Sequence, residues 1–265
     1  MSPGVFSPLK IGFALKAALF ATGCAGIIAE FVLSTLATYL VGNAVFQWTI
    51  VMSLMLFAMG VGSRLSRCFR RRLLDVFILT EFTLSVLCAG AAVFAYGVAA
   101  YTDFTDLVIY LEAFVIGTLI GFGIPLVTRI NNAYEALRVN ISGVMEKDYY
   151  GSLAGGLLFA FVALPHLGMT HTPILLGGIN FLVASLILWR FFPLVENRKA
   201  LAACFALVLV FLTMLGVLAR PIVLYGEQRK YRDKVVYARQ TPYQKIVMTR
   251  WKTHYWLYIN GQEQF

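Results

Sequence analysis

The stretch FALKAALFATGCAGIIAEFVLSTLATYLV, residues 13–41, decides the fold class. It runs for 29 residues and contains only two charged side chains, Lys16 and Glu30. A bilayer core about 30 Å thick requires about 20 mainly apolar residues in a helix. Because a helix satisfies its backbone hydrogen-bonding groups within its own segment, this stretch predicts a helix that spans a membrane.

Six further apolar segments follow along the chain. They occupy residues 44–63, 76–101, 107–128, 149–168, 172–193 and 200–219. The composition agrees, since 60% of the residues are hydrophobic, only 13% are charged, and the mean hydropathy is +0.77. These values lie outside the range of ordinary soluble domains. The sequence therefore predicts an all-α integral membrane bundle with seven transmembrane helices, followed by a short C-terminal β-hairpin.

The loops between these segments differ in charge. The stretch RLSRCFRRR, residues 64–72, carries five arginines, and WRFFPLVENRK, residues 189–199, is also basic, whereas TDFTD, residues 102–106, has only acids. Since cytoplasmic loops carry the excess of Lys and Arg, this pattern favours a cytoplasmic N-terminus. We expect the protein to be integral to a bacterial inner (plasma) membrane.

The C-terminal residues 220–265 are strongly basic. They hold nine Lys or Arg residues against three acids, a net charge of +6. A basic segment beside a membrane predicts attraction to anionic lipid head groups. No nucleic-acid-binding module accompanies the charge, so nucleic acid is not expected as a partner. The four cysteines are widely spaced and lack metal-ligand spacing, so no metal site is predicted either.

Two pairs of glycines have the spacing of helix-packing motifs. Gly117 and Gly121 form one pair, and Gly151 and Gly155 form the other. Small residues at i and i+4 let two helix backbones approach closely in a membrane. We therefore expect both pairs to lie at helix–helix contacts.

Several acids interrupt the apolar segments. Glu30, Glu81 and Glu112 lie within them, and Asp148 stands at the start of the fifth. Carboxylates in a membrane usually face a bundle interior or a cavity. They could bind a cationic amine or protons, or they could be protonated or paired with Thr, Tyr or Asn on other helices. We assign Glu30 and Glu112 as candidate substrate-binding residues and favour the structural alternative for Glu81 and Asp148.

The chain ends on TPYQKIVMTRWKTHYWLYINGQEQF, residues 241–265. Apolar and polar residues alternate on both sides of residues 252–254, and Asn260-Gly261 is a tight-turn signal, so this stretch predicts paired strands. Two strands alone are marginally stable in water and belong to something larger. We predict a membrane domain at 1–219, a basic juxtamembrane linker at 220–240, and the first hairpin of a further domain at 241–265.

This stretch resembles the N-terminal strands of the spermidine synthases, which are aminopropyltransferases. Their pattern of Tyr-Gln-x-Ile-x-Val, then Leu-x-Leu-Asp-Gly-x-x-Gln, is matched by Tyr243, Gln244 and Ile246 and then by the stretch 257–264, with Asn260 in place of the usual Asp. The stretch DYYGSLAGGLLFAFVALPHLG, residues 148–168, is similar to a segment of the membrane-fused members of this family. The resemblance covers nearly the whole chain.

The resemblance implies transfer of a propylamine group from decarboxylated S-adenosylmethionine to putrescine or a related amine. In the family, the Gln of the Tyr-Gln pair lies at the donor site, so the resemblance assigns Gln244 to donor binding. It also assigns Gln264 to the neighbourhood of the amine pocket. No covalently bound cofactor is implied.

The resemblance also implies that the catalytic residues lie elsewhere. The family's glycine-rich nucleotide turn and catalytic aspartates would lie beyond Phe265, so no catalytic residue is predicted here. We therefore expect a membrane-embedded part of an aminopropyltransferase that lacks its catalytic core and is inactive alone, through truncation or with the core on a separate subunit. A homo-oligomer is a further expectation. The alternatives are a polyamine-binding, transporter-like membrane module and a structural membrane anchor.

Overall fold

The computed structural model describes residues 8–102, 104–132, 137–241 and 244–264. Within these residues, seven α-helices precede a small sheet. The helices are α1 (Pro8–Val41), α2 (Ala44–Leu65), α3 (Leu73–Ala99), α4 (Thr105–Asn131), α5 (Leu137–Leu158), α6 (Gly168–Arg190) and α7 (Arg198–Lys230). Short 3₁₀ turns at Ser66–Cys68 and Phe192–Leu194 follow α2 and α6.

The expectation of seven separate transmembrane helices is wrong. The described part of the chain has six helical runs long and apolar enough to cross a membrane, judged by length and composition. The predicted fifth and sixth segments belong to a single run, Arg138–Arg190, because the π-helix Phe159–Leu167 joins α5 to α6. Predicted segments 149–168 and 172–193 therefore fall within one candidate span, in which the backbone leaves helical geometry at Gly168, with φ +63° and ψ −175°.

The π-helix ends at Gly168, whose φ of +63° and ψ of −175° are not helical. At its end, the carbonyl oxygen of Ala163 accepts hydrogen bonds from the backbone N–H of Gly168 and, at 3.1 Å, from Thr172 Oγ1. Pro165 lies within this π-helix and removes one backbone donor. Local π turns and Thr hydroxyls commonly satisfy the carbonyls that such prolines leave free.

Helix α1 lies at the centre of the bundle. It packs mainly against α5, and it also contacts α2, α4 and α6, while α3 packs against α4, α6 and α7. One core cluster surrounds the C-terminal half of α1, and a second surrounds its N-terminal half with α3 and α6. Helices α2 and α7 are the most exposed of the six candidate spans.

Both predicted glycine pairs lie at helix contacts, which confirms that prediction. A β-carbon at Gly117 or Gly121 would clash with the backbone of α2, at Met55 and Met59. On the other side of the bundle, a β-carbon at Gly151 would clash with the carbonyl oxygen of Phe20 on α1. The absence of side chains at these points is therefore what lets α4 approach α2 and α5 approach α1.

The C-terminal region forms a four-stranded antiparallel sheet rather than the expected hairpin alone. The strands, in spatial order, are β1 (Lys234–Gln240), β2 (Lys245–Trp251), β3 (His254–Ile259) and β4 (Gln262–Glu263). Met248 pairs with both Tyr237 and Leu257, and a register shift occurs between Val235 and Tyr237. Two further strands flank the predicted pair because residues 234–240 are extended and Asn260-Gly261 starts a second hairpin.

The predicted linker at 220–240 is occupied by regular structure. Arg220–Lys230 continues α7, and Lys234–Gln240 is strand β1. The side chain of Gln228 joins the two elements, because its Nε2 donates to the carbonyl oxygen of Asp233 at 3.0 Å and its Oε1 accepts from the N–H of Val235 at 2.9 Å. The division into domains at these residues stays a prediction.

Candidate functional site

Gln244 lies in the connection between β1 and β2. Its N–H donates to Thr241 Oγ1 at 3.0 Å, and its carbonyl oxygen accepts from the N–H of Thr241 at 2.9 Å. These bonds fix the backbone of Gln244, which is half-buried. Tyr243, its partner in the sequence resemblance, lies outside the described residues.

Gln264 follows β4 and is exposed. Its N–H donates to the carbonyl oxygen of Leu257 at 2.8 Å, which extends the pairing of β4 with β3. Since β3 separates β2 from β4, the two glutamines lie on different parts of one sheet. Their assignment to donor and amine binding stays a prediction.

The turn at Asn260-Gly261 is confirmed. Both residues have positive φ, +50° and +77°, which is the backbone of a two-residue hairpin turn between β3 and β4. Asn260 Oδ1 accepts a hydrogen bond from the N–H of Lys245 at 2.9 Å and so ties this turn to β2. Asn tolerates this left-handed backbone, which accounts for the fit of Asn260 at the position where the family pattern has Asp.

The structure does not bring Glu30 and Glu112 together. Glu112 lines a mainly apolar groove of about 820 Å³ between α3, α4 and α7. Glu30 lines a different cavity of about 510 Å³ between α1, α2, α4 and α5, and Asp148 lines the same cavity. Two of the four acids noted in the sequence therefore share a cavity, but they are not the pair that the sequence favoured.

Glu81 has a hydrogen-bond partner on another helix. It is fully buried on α3, and its Oε1 accepts a hydrogen bond from Thr22 Oγ1 on α1 at 2.9 Å. This bond across two helices is the arrangement that the structural alternative predicted for Glu81.

Sequence reasoning missed a polar junction between the bundle and the sheet. Lys245 on β2 reaches into the bundle, where its Nζ lies 2.7 Å from Glu227 Oε1 and donates to Tyr96 Oη at 2.8 Å. A cavity of about 230 Å³ adjoins these groups and is also lined by Gln240 and His171. The only sequence signal was one acid, Glu227, within a basic segment.

The electrostatics of this junction favour a charged lysine. Burial alone would lower the pKa of Lys245, but the neighbouring Tyr96 hydroxyl and the Glu227 carboxylate reverse that effect and raise the pKa above its ordinary value. The ion pair is largely buried, with side-chain exposures of 13% for Lys245 and 7% for Glu227. Lys245 therefore holds the sheet against the bundle as a cation.

A second set of contacts joins α7 and the turn after β3 to the end of α1. Lys230 Nζ donates to the carbonyl oxygens of Tyr39 and Leu40, at 3.0 and 2.7 Å. A lysine at these orphan carbonyls stabilises a helix C-terminus. Gly261 packs against the same place, since a β-carbon there would lie 2.8 Å from the Tyr39 carbonyl oxygen.

Comparison with known proteins shows relatives along almost the whole chain. It is 45% identical over 258 residues to polyamine aminopropyltransferase 2 of Aquifex aeolicus, which covers 97% of this chain and 52% of that protein. It is 34% identical over 269 residues to polyamine aminopropyltransferase 1 of Ralstonia nicotianae, covering 97% and 51%. No family model matches the chain, and no solved structure matches it.

These relatives correct one expectation. The chain spans about half the length of the curated relatives it matches. The expectation of a membrane-only module without a catalytic core, whether an inactive part of an enzyme, a transporter-like unit or an anchor, is not supported, because the matched proteins are named as whole aminopropyltransferases.

The resemblance seen in the sequence is confirmed by relatives that cover 97% of the chain. Over 97% of its length, the chain is similar to polyamine aminopropyltransferases, which supports the spermidine synthase-like family.

Proposed function

We propose that the protein acts in aminopropyl transfer to a polyamine. The donor is decarboxylated S-adenosylmethionine, and the acceptor is putrescine or a related amine. The observation that carries this proposal is the 45% identity to a polyamine aminopropyltransferase across 97% of the chain. The four-stranded sheet adds support, because it contains the strands on which the sequence resemblance rests.

The chemistry is attack of a neutral amine on the carbon beside a sulfonium. A new C–N bond forms, the C–S bond breaks, 5′-methylthioadenosine leaves, and the attacking nitrogen loses a proton. Such a reaction depends on holding two cationic substrates in line and close together. In this proposal Gln244 contacts the donor, on a backbone fixed by its hydrogen bonds to Thr241, and Gln264 lies nearer the amine.

The proposal includes a membrane location. The helical bundle lies in a bacterial inner membrane with the N-terminus in the cytoplasm, and Lys245 holds the sheet at one end of the bundle. Anionic head groups attract the basic surface of residues 220–265. Reporter fusions at each terminus measure this topology.

A labelled-donor assay tests the activity. Full-length protein in nanodiscs receives decarboxylated S-adenosylmethionine, labelled in the propylamine group, and 1,4-diaminobutane. The expected product is the aminopropylated diamine, together with one equivalent of 5′-methylthioadenosine, both detected by mass spectrometry. Absence of both products with several diamines contradicts the proposal, and release of 5′-methylthioadenosine without an aminopropylated amine contradicts transfer to an amine.

A further inference from the structure

A cavity inside the bundle combines two acids with a mainly apolar wall. We call it the acidic groove. It measures about 510 Å³ and lies between α1, α2, α4 and α5. Its polar lining consists of Thr22, Glu30, Ser63, Asp148, Tyr149 and Ser152. No lysine or arginine lines it within the described ranges.

Both acids are free of protein partners in the described residues. Glu30 is only 5% exposed, yet none of the hydrogen bonds or ion pairs found there involves its carboxylate. The same holds for Asp148, which is half-buried. By contrast, Glu81 behind the groove wall is bonded to Thr22. A buried carboxylate without a partner is costly and is normally paired with a cation or a hydrogen-bond donor.

The groups that face the groove from each helix supply no such partner. From α4 it is lined by Ile120, Ile124 and Pro125 together with two glycines, and from α2 by apolar residues, Gly60 and Ser63. Ser152 Oγ is already bonded to the Gly23 carbonyl oxygen at 3.3 Å. Within the described residues, the protein therefore supplies no cation to the groove.

The two carboxylates lie beside different turns of α1. Asp148 packs against Gly23, since a β-carbon there would lie 2.9 Å from Asp148 Oδ1. Glu30 lies seven residues further along the same helix, which corresponds to a rise of roughly 10 Å. Two separated carboxylates and an apolar wall fit a linear aliphatic chain with a cationic group at each end.

A divalent metal ion fits this groove poorly. Calcium and magnesium require six or more oxygen ligands around one point. Within the part of the chain that the structure describes, no three His, Cys, Asp or Glu residues come together to hold a metal. The separation of Glu30 from Asp148 argues for two cationic groups rather than one.

We propose that the acidic groove binds a linear aliphatic diamine, with one ammonium at Glu30 and the other at Asp148. This inference rests on the proposed function, since an amine is the acceptor of the proposed reaction. It adds a binding site inside the helical bundle, away from the sheet that carries Gln244.

Equilibrium binding tests it without any reaction. Full-length protein in phosphatidylcholine nanodiscs is titrated calorimetrically with 1,4-diaminobutane, 1-butylamine and 1,4-butanediol. The diamine is expected to bind at least about tenfold more tightly than the monoamine, because each ammonium pairs with one carboxylate. The diol, which has the same shape and no charge, is expected not to bind.

Three substitutions locate the site. Glu30→Gln keeps the side-chain shape and is expected to weaken diamine binding at least about tenfold. Asp148→Asn is expected to reduce diamine affinity to that of the monoamine. Gly60→Leu keeps both acids but fills the groove, and it is expected to weaken binding too, since Gly60 lines the groove and has open space around it.

Glu146→Gln is the matched control. It removes a negative charge from α5 two residues from Asp148, but Glu146 is exposed, pairs with Lys147 and does not line the groove. Its diamine affinity is expected to match wild type. Helical circular dichroism and the thermal transition establish that each variant folds, and Gly60→Leu still tests the site if an acid variant does not.

The outcomes separate this inference from the proposed function. Diamine affinity that is unchanged in Glu30→Gln and Gly60→Leu overturns the acidic groove as the site, even if aminopropyl transfer is measured. Equal affinity for diamine and diol overturns the role of charge. Conversely, diamine binding that depends on Glu30 supports the groove even if the transfer assay fails.

Discussion

Lys245 on β2 and Glu227 on α7 form a buried ion pair, with 2.7 Å between Nζ and Oε1, that joins the sheet to the helical bundle. The same ammonium donates to Tyr96 on α3. One strand residue therefore contacts two helices that are far from it in the sequence. This contact fixes the position of the sheet relative to the bundle. It therefore also positions Gln244, which lies between β1 and β2.

Breaking this pair should release the sheet. Lys245→Met leaves Glu227 buried without a cation and is expected to cost about 3–5 kcal/mol of local stability, as is Glu227→Gln, which leaves the lysine unpaired. The double variant should lose less local stability than the two single variants lose together. Hydrogen exchange of β2 and β3 amides measures these free energies, and additive losses would contradict a direct pair.

The contribution of Lys245 to the junction should be insensitive to pH near neutrality. The raised pKa of Lys245 means that its charge stabilises the fold fully below its unfolded value and is lost only as pH rises through the higher folded value. The loss of β2 amide exchange protection caused by Lys245→Met, corrected for intrinsic rates, should therefore be the same at about pH 6 and about pH 9. A loss that becomes smaller at the higher pH would show that Lys245 is neutralised at the junction.

Gly261→Ala should destabilise the docked sheet. Its φ of +77° is unfavourable for alanine, and the added β-carbon would lie 2.6 Å from Lys230 Nζ and 2.8 Å from the Tyr39 carbonyl oxygen. The left-handed backbone alone costs about 1–2 kcal/mol. Lys252→Gly is the control. Lys252 also has positive φ, +56°, but it lies in the exposed turn between β2 and β3. The stability of this variant should therefore be unchanged or slightly higher than that of wild type. Equal effects of the two variants in thermal unfolding would contradict the docking of Gly261.

Gly151→Val should disrupt the contact between α5 and α1. A side chain at this position meets the backbone of Phe20, which cannot move like a flexible side chain. Overpacking typically costs about 1–3 kcal/mol, so we expect a clearly lower thermal midpoint in detergent. Gly178→Ala on α6 has no heavy atom within 4 Å of the new carbon and should keep the wild-type midpoint. A Gly151→Val midpoint equal to that of Gly178→Ala would contradict the close packing.

Local signals in the sequence predicted the local features well. The spacing of Gly151 and Gly155 indicated a packing face, and Asn260-Gly261 indicated a tight turn, because each depends on residues a few positions apart. The gap predicted between segments 149–168 and 172–193 is shorter than expected. Helix α6 follows the π-helix Phe159–Leu167 directly, and the backbone is non-helical at Gly168, with φ +63° and ψ −175°.

Features that depend on distant neighbours were not predictable. The cost of a carboxylate in a membrane predicts that Glu30 and Glu112 face inward, but not that they open into different cavities. The partnership of Lys245 with Glu227 arises only when β2 folds back onto α7. Strand β1 was obscured because its basic residues and its position after an apolar segment are typical of a juxtamembrane linker.

The most direct test of the central claim is the kcat/KM for decarboxylated S-adenosylmethionine in Gln244→Ala, measured beside wild type and Thr253→Ala. Thr253 lies in the exposed turn between β2 and β3 and serves as the control. Loss of a hydrogen bond to the cationic substrate decarboxylated S-adenosylmethionine is expected to cost about 1.5–3 kcal/mol of transition-state stabilisation. The kcat/KM in Gln244→Ala should therefore fall by about 10- to 150-fold, while Thr253→Ala keeps the wild-type value. A Gln244→Ala enzyme as efficient as wild type, or full-length protein that yields no aminopropylated product at all, would contradict the account.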